Sequence, residues 1–128
     1  MVHCKDGIMI LPRSVVKVID NSGIKFIRCI KITGSTNKRW AKHGELIKAS
    51  AIVVYPRSKI KQGSVVNSLI IRCIRPFNRT LGYIKFNENS VIILNDKLEP
   101  LGTRIFGPVL RELKVINQNM FSLINDVV

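Results

Sequence analysis

Metal ligation and acid–base catalysis both need their groups close together, and this chain keeps those groups apart. His3 and Cys4 are adjacent, but Cys29, His43 and Cys73 are isolated, and neither C-x-x-C nor H-x-x-x-H spacing occurs. Zinc sites are built from close ligand pairs, so neither a metal nor another cofactor is expected. No G-x-S-x-G elbow, P-loop or Rossmann fingerprint is present. The eight acids are scattered, so no catalytic residue, enzyme activity or small-molecule substrate is expected either. What does cluster is positive charge. Lys38, Arg39, Lys42 and His43 share one polar connection, Arg57, Lys59 and Lys61 a second, and Arg75 and Arg79 a third. In Arg57-Ser58-Lys59-Ile60-Lys61 the basic residues alternate, which places all three on one face of an extended ribbon. Basic side chains carried on turns project away from an apolar core and suit phosphate contact.

The overall balance agrees. The 128 residues carry 21 Lys and Arg against 8 Asp and Glu, a net charge of +13. Residues 1–85 hold 17 of those bases with only Asp6, Asp20 and Glu45, while residues 86–128 are close to neutral. A small domain this basic seeks polyanions, above all nucleic acid. Of eight aromatics, only Trp40 and Phe77 stand in basic connections where they could stack on bases. Recognition of folded RNA through its backbone and shape therefore fits better than general single-strand binding. At 46% apolar the chain can bury a core, and no apolar stretch is long enough to span a membrane. Three widely spaced cysteines argue against a secreted disulfide framework. The first fourteen residues show neither a signal-peptide h-region nor a transit-peptide pattern.

Positioning these residues requires strands. Residues 15–19, 24–32, 46–55 and 65–74 are β-branched runs separated by Gly-, Pro- and Asn-rich turns. Residues 83–86 and 91–94 read as a hairpin across 87–89. Residues 75–82 read as a basic connection. Pro108 opens a helix in this reading, with Val109, Leu110 and Leu113 on one face. Met120, Leu123, Ile124 and Val127 suggest a second helix by their i, i+3, i+4, i+7 spacing. The expected fold is mainly all-β: a small five-stranded antiparallel barrel with short C-terminal helices. One domain is expected over 1–128, made of an N-terminal extension (1–14), a basic barrel (15–95) and a loop and helical region (96–128).

The string Gly102-Thr103-Arg104-Ile105-Phe106-Gly107-Pro108-Val109, with Arg111-Glu112-Leu113 after it, resembles large-subunit ribosomal protein fourteen, the universal L-fourteen family. Asp20-Asn21-Ser22-Gly23, Cys29-Ile30-Lys31 and the turn Pro56-Arg57, Lys59, Lys61, Gly63 are similar to further elements of that family, and the order holds over about residues 15–128. Ser58 and Gln62 depart from its glycine and lysine, Trp40 from its usual tyrosine, and the 75–82 connection is shorter than the family's. The resemblance implies a five-stranded barrel that binds large-subunit rRNA. It also implies contacts with neighbouring large-subunit proteins, with small-subunit rRNA across the intersubunit face, and with a factor that silences subunit joining. The candidate RNA-binding set is Asn21, Ser22, Lys25, Lys38, Arg39, Trp40, Lys42, His43, Arg57, Lys59, Lys61, Arg72, Arg75 and Arg79. The candidate protein and intersubunit set is Thr103, Arg104, Ile105 and Phe106, with Thr103 and Arg104 facing outward and Ile105 and Phe106 anchoring the loop. The competing reading is a free-standing RNA- or DNA-binding barrel, which leaves the GTRIFGPV string unexplained. Nineteen Ile, twelve Lys and ten Asn against three Ala suggest an A/T-rich coding sequence. The expected location is therefore a ribosome of the mitochondrial matrix, with the bacterial cytoplasm second.

Overall fold

The computed structural model describes residues 10–33, 41, 43–74, 76–115 and 123–128. Among these the strands are β1 (Val15–Val18), β2 (Ile24–Ile32), β3 (Leu46–Val54), β4 (Val65–Arg72), β5 (Phe77–Arg79), β6 (Gly82–Ile84), β7 (Ser90–Leu94), β8 (Ile105–Val109) and β9 (Ile124–Val127). Five of them close a barrel in the order β1-β2-β3-β4-β7. All neighbours are antiparallel except the closing pair, where β1 runs parallel to β7 with Lys17 opposite Ser90 and Val18 opposite Val91.

Alternation explains which residues fill the barrel. In β2, Ile24, Ile27, Cys29 and Ile32 are buried while Lys25, Arg28, Ile30 and Lys31 are exposed. The irregular step between Cys29 and Lys31 lets two successive residues face outward. Ile27, Ile47, Ala49, Ala51, Ile70, Val91 and Ile93 belong to the inner core. β7 is buried along its whole length, as a continuous apolar run should be when both its faces are covered. Its outward residues Ile92 and Leu94, with Leu69 and Ile71 of β4, form a second core with Ile105, Val109, Leu110 and Leu113. Among the described residues the C-terminal third thus roofs the β4–β7 wall and not the β1–β3 wall.

Three expectations are corrected. Residues 83–86 do not pair with 91–94. Phe77–Arg79 pairs with Gly82–Ile84 around Thr80-Leu81, a tight local hairpin, so the connection is built on two short strands rather than being loop throughout. β7 instead takes β4 and β1 as its neighbours. Pro108 does not open a helix: it lies in β8, at a register shift beside Gly107, whose φ is +86°, and irregular strands of this kind tolerate proline. The helical part of the described C-terminal region is a single 3-10 turn at Arg111–Val115. Ile124–Val127 is a strand parallel to β8, because a short apolar run at mixed spacing serves either conformation. Met120 lies outside the described residues.

Candidate nucleic-acid interface

Arg57, Lys59 and Lys61 are all exposed, while Ser58 and Ile60 between them are half-buried. The alternation holds, on a turn rather than a strand. The Ser58 amide donates to the Tyr55 carbonyl at 3.0 Å, and the Ser58 hydroxyl accepts from the Ile60 amide at 3.1 Å. Ile60 packs against the inner core, so the three cations stand on an anchored base. The 20–23 turn lies against this one. Gly23 has φ +104°, and a Cβ there would sit 2.5 Å from the Ser58 Oγ. The Gly23 carbonyl accepts from the Tyr55 amide at 2.9 Å. Lys25 follows it, exposed on β2.

The same 20–23 turn holds the 102–104 loop. Asn21 Oδ1 accepts from the amides of Thr103 (2.7 Å) and Arg104 (3.2 Å), and its Nδ2 donates to the Thr103 Oγ1 at 2.8 Å. A Cβ on Gly102 would stand 2.7 Å from Asn21 Oδ1 and 3.1 Å from the Asp20 Cβ, so the close approach requires glycine. Asp20 is buried beneath: Oδ1 accepts from the Ser22 amide and hydroxyl, and Oδ2 from the Ile93 amide at 3.0 Å. Burial raises its pKa against these hydrogen bonds, which favour the charged form. Asn21 and Ser22 therefore act as structural clasps as well as surface groups. Thr103 and Arg104 face solvent. Among the described residues Arg104 forms no ion pair with Glu99 or Glu112. Its guanidinium lies 5.2 Å from the Phe106 ring centroid. Ile105 is buried and anchors the loop, which takes it out of direct reach of a partner. Phe106 is 47% exposed rather than an anchor.

Other candidates face inward partners. His43 Nε2 accepts from the Cys73 amide at 3.3 Å, and its ring meets Phe77 and Phe86. Phe77 accordingly packs on the second core rather than standing free to stack. Arg72 is drawn over Gly107 and pairs with Glu88 at 3.1 Å. Burial lowers its pKa while Glu88 opposes the fall. Arg79 pairs with Glu112 and donates to the Val128 carbonyl, both at 2.7 Å, and its hydrogen bond lowers the Glu112 pKa. The open groove beside it, about 720 Å³ and lined by Phe77–Arg79, Thr80, Leu81 and Glu112, thus has its one ion pair already formed. Lys38, Arg39, Trp40, Lys42 and Arg75 lie outside the described residues.

The structure adds a basic group that the connections alone did not suggest. Lys17, Arg28, Lys31 and Lys48 are exposed on the outer wall of β1, β2 and β3. The signal was there, in cations of β2 spaced three apart, but choosing their wall requires the register of the sheet. Among the described residues no group of three His, Cys, Asp or Glu gathers as a metal site. Cys29 and Cys73 are buried and not joined in a disulfide, and burial pushes the Cys29 thiol up to about 11. No helix among the described residues is long and apolar enough to cross a membrane. A family model described as ribosomal protein L14p/L23e matches residues 9–128.

Proposed function

The chain belongs to the ribosomal protein L14p/L23e family, a structural constituent of the large ribosomal subunit with large-subunit rRNA and ribosomal proteins as partners, and we propose how its surfaces divide that work. The turn bearing Arg57, Lys59 and Lys61 binds rRNA phosphates, with Lys25 and the outer groups of Asn21 and Ser22 beside it. The 102–106 loop stands on the intersubunit face, presenting Thr103, Arg104 and Phe106 to small-subunit rRNA or to a factor that silences joining. The carrying observation is that Asn21 fastens one surface to the other through three hydrogen bonds to Thr103 and Arg104. Lys38, Arg39, Trp40, Lys42 and Arg75 keep their proposed RNA roles from sequence alone. Arg72, Arg79 and His43 act by holding the scaffold. A mitochondrial source remains our reading of the Ile-, Lys- and Asn-rich composition.

The test is to build large subunits with two variants and follow both incorporation and subunit joining. Arg57, Lys59 and Lys61 replaced together by Ala should weaken incorporation. Arg104→Glu should incorporate normally and join slowly, because reversing a rim charge acts mainly on association. Normal joining and factor binding by the Arg104 variant would overturn the intersubunit assignment, and loss of incorporation would move Arg104 to the RNA side.

A further inference from the structure

We propose that the open outer wall of β1, β2 and β3 is a second RNA surface, which receives the phosphate backbone of a double-helical RNA segment independently of the 56–61 turn. The proposal rests on the reading that the protein binds rRNA. Register brings the residues together. Lys31 of β2 lies directly opposite Lys48 of β3, which lies opposite Asn67 of β4. In a parallel row, Arg28 lies opposite Ser50. Neighbouring strands are about 4.8 Å apart, so the Lys31 and Lys48 side chains leave the sheet side by side.

Like charges directly opposite on a sheet are destabilising. Among the described residues neither lysine, nor Arg28, has an ion-pair partner. Glu88, the acid that pairs with Lys17 of this wall at 3.8 Å, is also held by Arg72 at 3.1 Å. A row of unneutralised cations on a rigid sheet is offset by an external anion, and a polyanion with closely spaced charges offsets all of it together. Among the described residues the wall also lacks a stacking platform: Phe26 is half-buried, and Tyr55 lies beyond the far end of β3. That favours the backbone of a duplex over unstacked bases. From Lys48 to Val54, where the 56–61 turn departs, β3 extends roughly 20 Å at about 3.4 Å per residue. The two basic groups therefore meet different phosphates.

The experiment measures binding to a duplex RNA of about 20 base pairs across a salt series. It compares the intact protein, Lys31→Gln with Lys48→Gln, the Arg57/Lys59/Lys61→Ala variant, and all five changes together. The lysine pair should flatten the log–log salt slope by about 1.4–1.8, two phosphates at about 0.7–0.9 each. Its effect should add to that of the turn. The thermal midpoint of the lysine variant should equal or exceed that of the intact protein, since repulsion is relieved and folding is not impaired. An unchanged slope in the lysine variant, with a flattened slope in the turn variant, would overturn the second surface while leaving RNA binding intact. An unchanged slope with weaker incorporation into particles would assign the wall to a neighbouring protein and overturn it as well. Absence of salt-dependent binding by the intact protein would overturn the proposal through its premise.

Discussion

Asn21 satisfies two backbone amides and a hydroxyl of the 102–104 loop with one side chain. Hydrogen bonds contribute about 0.5–1.5 kcal/mol each, and with these three at the low end because they are exposed, Asn21→Ala should cost about 1.5–2 kcal/mol in urea unfolding. It should also speed amide exchange at Thr103 and Arg104. Asn21→Asp, which retains the acceptor and loses the donor, should fall between. Asp20 beneath it gives a pH dependence of defined sign. Its folded pKa lies above the usual 3.8 because burial outweighs its hydrogen bonds. The folded state then binds the proton more tightly than the unfolded chain. The resulting stability is fully present below about 3.8 and is lost as pH rises through the folded value. Unfolding at a series of pH values between 4 and 7 should show the native protein gaining on Asp20→Asn as pH falls. A difference independent of pH would contradict the account. At this scale the sequence was only partly readable. Exposure of Arg57, Lys59 and Lys61 followed from alternation, whereas the ties of His43, Arg72 and Arg79 run to Phe86, Gly107 and Val128, residues that only the tertiary fold brings near.

Among elements, the 56–61 turn is the one whose function separates most cleanly from stability. Its cations are exposed, and its anchors are Ser58, Ile60 and the contact with Gly23. Replacing Arg57, Lys59 and Lys61 by Ala should leave the unfolding free energy within about 0.5 kcal/mol and flatten the salt slope of RNA binding by about two to three units. An unchanged slope would place the footprint elsewhere. The first four strands were legible because Ile- and Val-rich runs end at Gly23, Pro56 and the polar turns. The partners of β7 were not, since its antiparallel and parallel neighbours are chosen by barrel closure, a long-range condition that no local pattern encodes. The C-terminal strand was hidden for a related reason: Ile124–Val127 pairs with β8, a segment whose Pro108 argued for a helix.

At the scale of the molecule, apolar burial and charge are assigned to different walls. The near-neutral last third covers β4 and β7 with Ile105, Val109, Leu110 and Leu113, which leaves the basic turn and the β1–β3 wall free for a polyanion. Repulsion among these cations opposes compactness, and large-subunit rRNA would relieve it. The most direct measurement is sedimentation of the tagged full chain from its own cells over a salt series. The protein should travel with the large ribosomal subunit at moderate salt, at about one copy per particle, and leave it progressively as salt rises. A chain that stays in the free fraction at moderate salt while other large-subunit proteins remain on the particle would contradict the account.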